Sequence, residues 1–184
     1  MLVTLITAGL AVVATLLGAV VSGRFQERAA ERQVRAAHGE AIRRDRLEAV
    51  TALACAASDH RAAMWRRGDA VLKQADPERI EALRGESHMT RSAVTRPLVA
   101  LRVLIEDQAV RAAADHMISL TYAIRQVIPA TTPGADRDAA KQRLTEAREA
   151  AKIAHDVFVD TAARYLRPTT PTTTPHPTPE EPTR

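Results

Sequence analysis

The sequence predicts an all-α protein: a single N-terminal transmembrane helix, a cytoplasmic antiparallel four-helix bundle and a disordered Pro/Thr-rich C-terminal tail. Three observations carry this. Residues 1–23 contain no charged side chain. The composition holds 36 alanines and 23 arginines but only 3% aromatics, which favours helix, since strand formers are scarce. Four apolar seams at three-and-four spacing are separated by proline- and aspartate-bearing breaks.

The opening, "MLVTLITAGLAVVATLLGAVVSG", is long enough as a helix to cross a hydrocarbon core of about 30 Å. Its polar side chains, Thr4, Thr7, Thr15 and Ser22, can hydrogen-bond back to the helix. A secretory signal is disfavoured because no basic residue precedes Leu2, although small residues near Val21 and Gly23 resemble a cleavage site. A water-soluble core helix is disfavoured because no polar stripe interrupts the apolar surface. Arg24, Arg28, Arg32, Arg35, Arg43, Arg44 and Arg46 follow the span and none precedes it. The positive-inside rule therefore puts the N-terminus outside and the body in the cytoplasm of a single-pass cell-membrane protein. Ala14, Gly18 and Ser22 form a small-residue row. Such rows permit close helix approach and hence self-association, but small residues are also simply common in spans. Both readings stand.

Residues 24–46 read as a basic helical stalk, loosened at Gly39. Arg24, Arg28, Arg32 and Arg35 share one face by their 4-4-3 spacing. They suit either anionic lipid headgroups or a solvated ion-paired surface in which Glu31 and Arg35 pair.

The bundle is expected over 47–166. Its first seam is Leu47, Val50, Ala54, Ala57, Arg61, Met64, Gly68 and Val71. In "QADPERIEAL", Asp76 serves as N-cap and Pro77 as first residue of the next helix. That helix carries Ile80, Leu83, Ser87, Thr90, Val94, Pro97, Leu101 and Leu104, and Pro97 is expected to kink or break it. Asp107 is expected to cap a third helix with Val110, Ala113, Met117, Leu120, Ile124 and Ile128. After the breaker "PATTPGAD", Asp136 leads a fourth with Leu144, Ala147, Ala151, Ala154, Phe158, Ala162 and Tyr165. Short connections make neighbours antiparallel. Residues 167–184, rich in proline and threonine, lack the apolar groups to offset ordering entropy. Such a composition also occurs in extracellular stalks, which argues against the cytoplasmic orientation.

Both of the first two seams carry polar residues at one level. Arg61, Glu86, Ser87 and Thr90 are expected to form a shared polar layer with Trp65 beside it. This layer is either a register-fixing network or a recognition surface, and Trp65 either fills a groove or anchors a partner. Each bundle helix holds one histidine, His60, His88, His116 and His155. Counting from the turns places His116 and His155 on different levels, separated by about 10 Å at helical rise, so a four-histidine metal centre cannot close. A pairing of His60 with His88 stays open. Cys55, the single cysteine, sits between alanines and reads as a small packing residue.

No HExxH, nucleophile elbow, glycine-rich phosphate loop or paired-cysteine motif occurs. The chain is expected not to be an enzyme and to need no cofactor and no metal. Basic and acidic residues, 26 against 22, are interleaved, and no stacking aromatics accompany them, which argues against specific nucleic-acid binding. The expected partners are the membrane, a second copy, or other membrane proteins. A tethered sensor that binds a partner or small ligand through the polar layer is the alternative.

The apolar opening together with "SDHRAAMWRR" (58–67), "ESHMTRSAVTRPLVALRVL" (86–104) and "TYAIRQ" (121–126) resembles a family of small actinobacterial membrane proteins. That family is labelled KilB-like, after a plasmid spread protein of mycelial bacteria. The likeness covers residues 1 to 166 and excludes the tail. It implies a membrane-associated role in spreading a conjugative plasmid between hyphal compartments, alongside other transfer proteins. It implies no active-site residues.

Overall fold

The computed structural model describes the backbone of residues 2–128 and 136–167, and side chains within those spans from Gln26 onward. Among the described residues every regular element is helical: α1 (Leu2–Leu72), α2 (Pro77–Leu104), α3 (Gln108–Val127) and α4 (Arg137–Leu166). The chain divides into two compact units, Met1–Ala49 and Val50–Arg184.

In the first unit the backbone is helical through Gly39 with no interruption. Arg28, Arg32 and Arg35 are exposed, and Arg35 pairs with Glu31 at 3.2 Å. Among the described residues no helix is long and apolar enough to cross a membrane. The expected span at 1–23, with Ala14, Gly18 and Ser22, lies where side chains are outside the described residues, as does the side chain of Arg24.

The second unit is a four-helix bundle, and its helices start where the sequence supplies caps. Asp76 accepts a hydrogen bond from the Glu78 amide at 2.8 Å, with Pro77 in the first turn. Asp107 accepts from Val110 at 2.9 Å. Asp136 accepts from Asp138 and Ala139 at 3.0 and 3.1 Å. Each cap satisfies amides that have no carbonyl partner inside the helix.

α2 continues unbroken through Pro97, so of the expected kink or break, the break does not occur. Proline removes one backbone donor and crowds the preceding turn. Here Val94 and Leu101, fully buried on either side, hold the helix in register across it.

Side-chain pairs fix the antiparallel order. His60 meets Thr90 and Arg66 meets Glu86 between α1 and α2. Arg102 meets Asp115 at 2.8 Å between α2 and α3. Arg148 lies over Trp65 between α4 and α1, with its guanidinium 4.7 Å from the ring centroid. The core contains Leu53, Met64, Val94, Leu101, Ile105, Val110, Met117, Ile124, Leu144, Ala151 and Phe158. Many of the lining positions are alanines, so helices approach closely with little side-chain entropy lost.

α1 buries Val50, Leu53, Ala57, His60 and Met64 toward its neighbours, whereas Leu47 is exposed and Arg61 half-buried. The observed seam is thus rotated from the expected one over this stretch. Alanines on every face give little contrast, and Leu53 sets the phase. α3 packs closely along α4, while α2 and α3 touch only sparsely. That sparse seam positions the site described next.

Candidate functional site

The expected polar layer divides between two faces of α1. Thr90 meets His60 rather than Arg61: His60 Nδ1 lies 3.0 Å from Thr90 Oγ1. The Thr90 hydroxyl can donate back to the Glu86 carbonyl at 3.1 Å, which leaves its oxygen to accept from His60 Nδ1–H. Ser87 donates to the Arg84 carbonyl at 2.7 Å. Glu86 pairs with Arg66 at the surface. Arg61 instead donates to Ser58 Oγ at 3.2 Å. Burial pulls the Arg61 pKa down, while Asp156 and Glu149 of α4 favour its charge and Arg148 opposes it. Arg61 therefore belongs to the α4 side. The reason is rotational: one residue of α1 turns the side chain by about 100°.

Trp65 is half-buried against the core cluster of Met64, Ile124, Leu144 and Ala151. Its outer face is covered by Arg148, a cation–π contact.

Behind His60 the weak α2–α3 seam opens into a cleft lined by His60, Met64, Arg67, Ser87, His88, Arg91, Tyr122 and Arg125. It is shallow, with a cavity volume of about 20 Å³. A broader depression adjoins it and shares Arg91, Tyr122 and Arg125. Tyr122 organises the wall: its ring meets His60 edge-on at 5.4 Å, and the Arg91 guanidinium sits 4.8 Å from its centroid. Burial lowers the His60 pKa to about 4, with Arg91 and His88 adding to the effect. His60 is therefore neutral at pH 7.

Arg67 is also disfavoured as a cation, by burial first and then by Arg84 and Arg125, with Glu81 acting in the opposite sense. Its Nε is shielded from solvent and has no hydrogen-bond partner among the described residues. Sequence reading missed Arg67, Arg91, Tyr122 and Arg125 as a group, because they come from three helices and no spacing along one helix marks them.

Of the remaining histidines, His116 is exposed and His155 Nε2 lies 3.3 Å from the Ala54 carbonyl. His88 lines the cleft with His60. Among the described residues, no group of three or more His, Cys, Asp or Glu side chains is placed to hold a metal ion. Cys55 is exposed, so it does not fill the packing role read from its alanine neighbours.

The fold and site together define a class: an all-helical bundle protein that carries a cationic cleft between α1, α2 and α3. Residues 47–166 match the family model described as KilB plasmid transfer protein. A relative, Protein KilB of Streptomyces lividans, is 40% identical over 160 residues, covering 87% of this chain and 97% of the relative. No solved structure matches. The chain belongs to the KilB plasmid transfer protein family.

Proposed function

We propose that this protein is a non-enzymatic, single-pass membrane protein that assists plasmid transfer by assembling with itself or with other transfer proteins. The observation that carries the reading is the family match across the bundle. The uncharged run at 1–23 followed by seven arginines through Arg46 supports the anchor and its orientation. The bundle presents packed helices and cations rather than an activated nucleophile, which supports a binding role.

Three experiments test this. Fractionation should recover the intact chain in membranes, with the bundle protected from protease added to spheroplasts. Recovery of the full chain in the soluble fraction sinks the anchor. Deleting the gene from its plasmid should reduce spread through recipient mycelium, and unchanged spread sinks the transfer role. A Gly18→Leu variant that crosslinks as well as wild type assigns self-association to surfaces outside the span.

A second reading, a membrane-tethered regulator that senses a small ligand, is favoured by one observation. Among the described residues the cleft arginines Arg67, Arg91 and Arg125 make no ion pair, whereas the neighbouring Arg66 does.

A further inference from the structure

We infer that the cleft between α1, α2 and α3 binds the phosphate group of a small soluble phosphorylated compound. This rests on the cleft alone and stands whether or not the chain acts in plasmid transfer.

The first argument is electrostatic. Arg67, Arg91 and Arg125 line one cleft with His60 and His88, and no carboxylate lines it. In a chain with 22 acidic residues interleaved among 26 basic ones, neighbouring arginines find acids readily: Arg66 holds Glu86 and Arg102 holds Asp115. None of the three cleft arginines forms an ion pair with any described residue. Their charges repel one another, and Glu81 offsets this only partly at Arg67. Arg91 and Arg125 are exposed and Arg67 is half-buried, so the unbalanced charge weighs most on Arg67, where an anion would offset it.

The second argument is a hydrogen-bond deficit. Arg67 Nε is buried with no acceptor among the described residues, and leaving a buried donor unmet is destabilising. Guanidinium groups match phosphate oxygens in geometry and bind them two bonds at a time. A phosphate in the cleft would give the Arg67 guanidinium the acceptor it lacks.

The third argument is space. α2 and α3 are capped and tied at their shared turn, yet touch sparsely along their length. The cleft itself holds only about 20 Å³, but it opens into the adjoining depression of about 510 Å³ that shares Arg91, Tyr122 and Arg125, the scale of a small ligand rather than of a nucleic-acid helix. Tyr122 brings a neutral hydroxyl donor to its lining. Tyr122 also holds Arg91 in place, so part of the site is preorganised.

The test uses the full-length protein in non-ionic detergent at constant ionic strength. Sodium pyrophosphate and inorganic phosphate are titrated while melting temperature and ³¹P linewidth are followed. Pyrophosphate should saturate, raising the melting temperature and broadening its resonance, with phosphate weaker. Arg91→Gln and Arg125→Gln change exposed side chains, so the fold should survive. Each should weaken binding at least tenfold, and the double variant should abolish it. Arg96→Gln, also exposed but outside the cleft lining, should bind as wild type does. Non-saturating responses, or equal losses in Arg96→Gln and Arg91→Gln, would mean diffuse surface charge and overturn the proposal. Binding confined to phosphatidylglycerol vesicles or to duplex DNA, with none to pyrophosphate, overturns it too.

Discussion

Gly68 of α1 and Leu144 of α4 occupy one packing site: a Cβ added to Gly68 would fall 2.6 Å from Leu144 Cδ2 and 3.0 Å from Cδ1. Leu144 is fully buried, so its isobutyl group has little room to turn away. Replacing glycine by alanine inside a helix gains about 1 kcal/mol in propensity. Overpacking a core costs about 1–3 kcal/mol. The clash wins, and Gly68→Ala should lower stability by about 1 kcal/mol, or about 4 °C in melting temperature. Gly85, where an added Cβ meets nothing within 4 Å, should show the opposite sign when changed to alanine. Combining Gly68→Ala with Leu144→Val should cost about 1 kcal/mol less than the two single losses summed, because valine vacates the contested space. Simple additivity in the thermal melts would refute the shared site.

The contrast between these glycines shows what the sequence could reveal. Caps and breaks were legible: Asp76, Asp107 and Asp136 begin helices where their side chains predict. That information is local, since a cap needs only the amides two or three residues ahead. The seams of α2 and α4 were legible because Leu, Val and Phe stand out against charged neighbours. The phase of α1 was not. In "ALACAASDHRAAMW" alanines on all faces make Arg61 and His60 equally good continuations, and only packing against Thr90 and Tyr122 selects His60. The cleft was invisible for a different reason: its arginines converge from three helices, and their lack of partners is a property of the fold.

His60 gives the bundle a pH dependence with a definite sign. It is 3% exposed, and burial, Arg91 and His88 hold its pKa near 4 against 6.5 for the free side chain. Arg67 and Arg125, which also line the cleft, are cations as well, so no facing group favours its proton. Above pH 6.5 the folded and unfolded states are both neutral at this site, and it contributes no slope. Between pH 6.5 and 4 the unfolded chain takes up a proton that the folded chain refuses. Stability therefore falls across that window by about 3 kcal/mol from this residue. His60→Gln, which keeps a polar group beside Thr90, should flatten urea-unfolding stability over the same window by about that amount. Parallel curves for the two proteins would remove His60 as the cause.

Arg111 ties the end of α2 to the start of α3. Arg111 Nε donates to the Ile105 carbonyl at 2.6 Å, and its terminal nitrogen donates to the Arg102 carbonyl at 2.8 Å. These carbonyls end α2 and have no amide ahead of them in the helix. Arg111→Ala should cost about 1–3 kcal/mol, since hydrogen bonds from a charged donor are lost and the carbonyls are left short. Arg111→Lys reaches with a single ammonium and should recover part of the loss. Asp107→Ala, which removes the α3 cap, should cost about 1 kcal/mol. Faster amide hydrogen exchange at Val110 than in the middle of α3 should accompany that loss.

Gln74 closes α1 in a left-handed conformation, with φ of 53°. The hydrogen bonds are those of a helix-ending glycine motif: the Ala75 amide reaches the Ala70 carbonyl at 3.0 Å and the Gln74 amide reaches Val71 at 3.1 Å. Glutamine pays for a Cβ crowded against backbone in this region, a cost of about 1–2 kcal/mol relative to its usual conformations. Glycine escapes that cost but loses more freedom on folding, so Gln74→Gly should gain about 0.5–1 kcal/mol. A β-branched residue suffers most there, and Gln74→Val should lose about 1 kcal/mol or more. The side chain is exposed, so neither change disturbs the core and the two melting temperatures should move in opposite directions from wild type. If both variants fall below wild type, glutamine must hold the turn by a contact of its side chain, and the backbone account of this helix end fails.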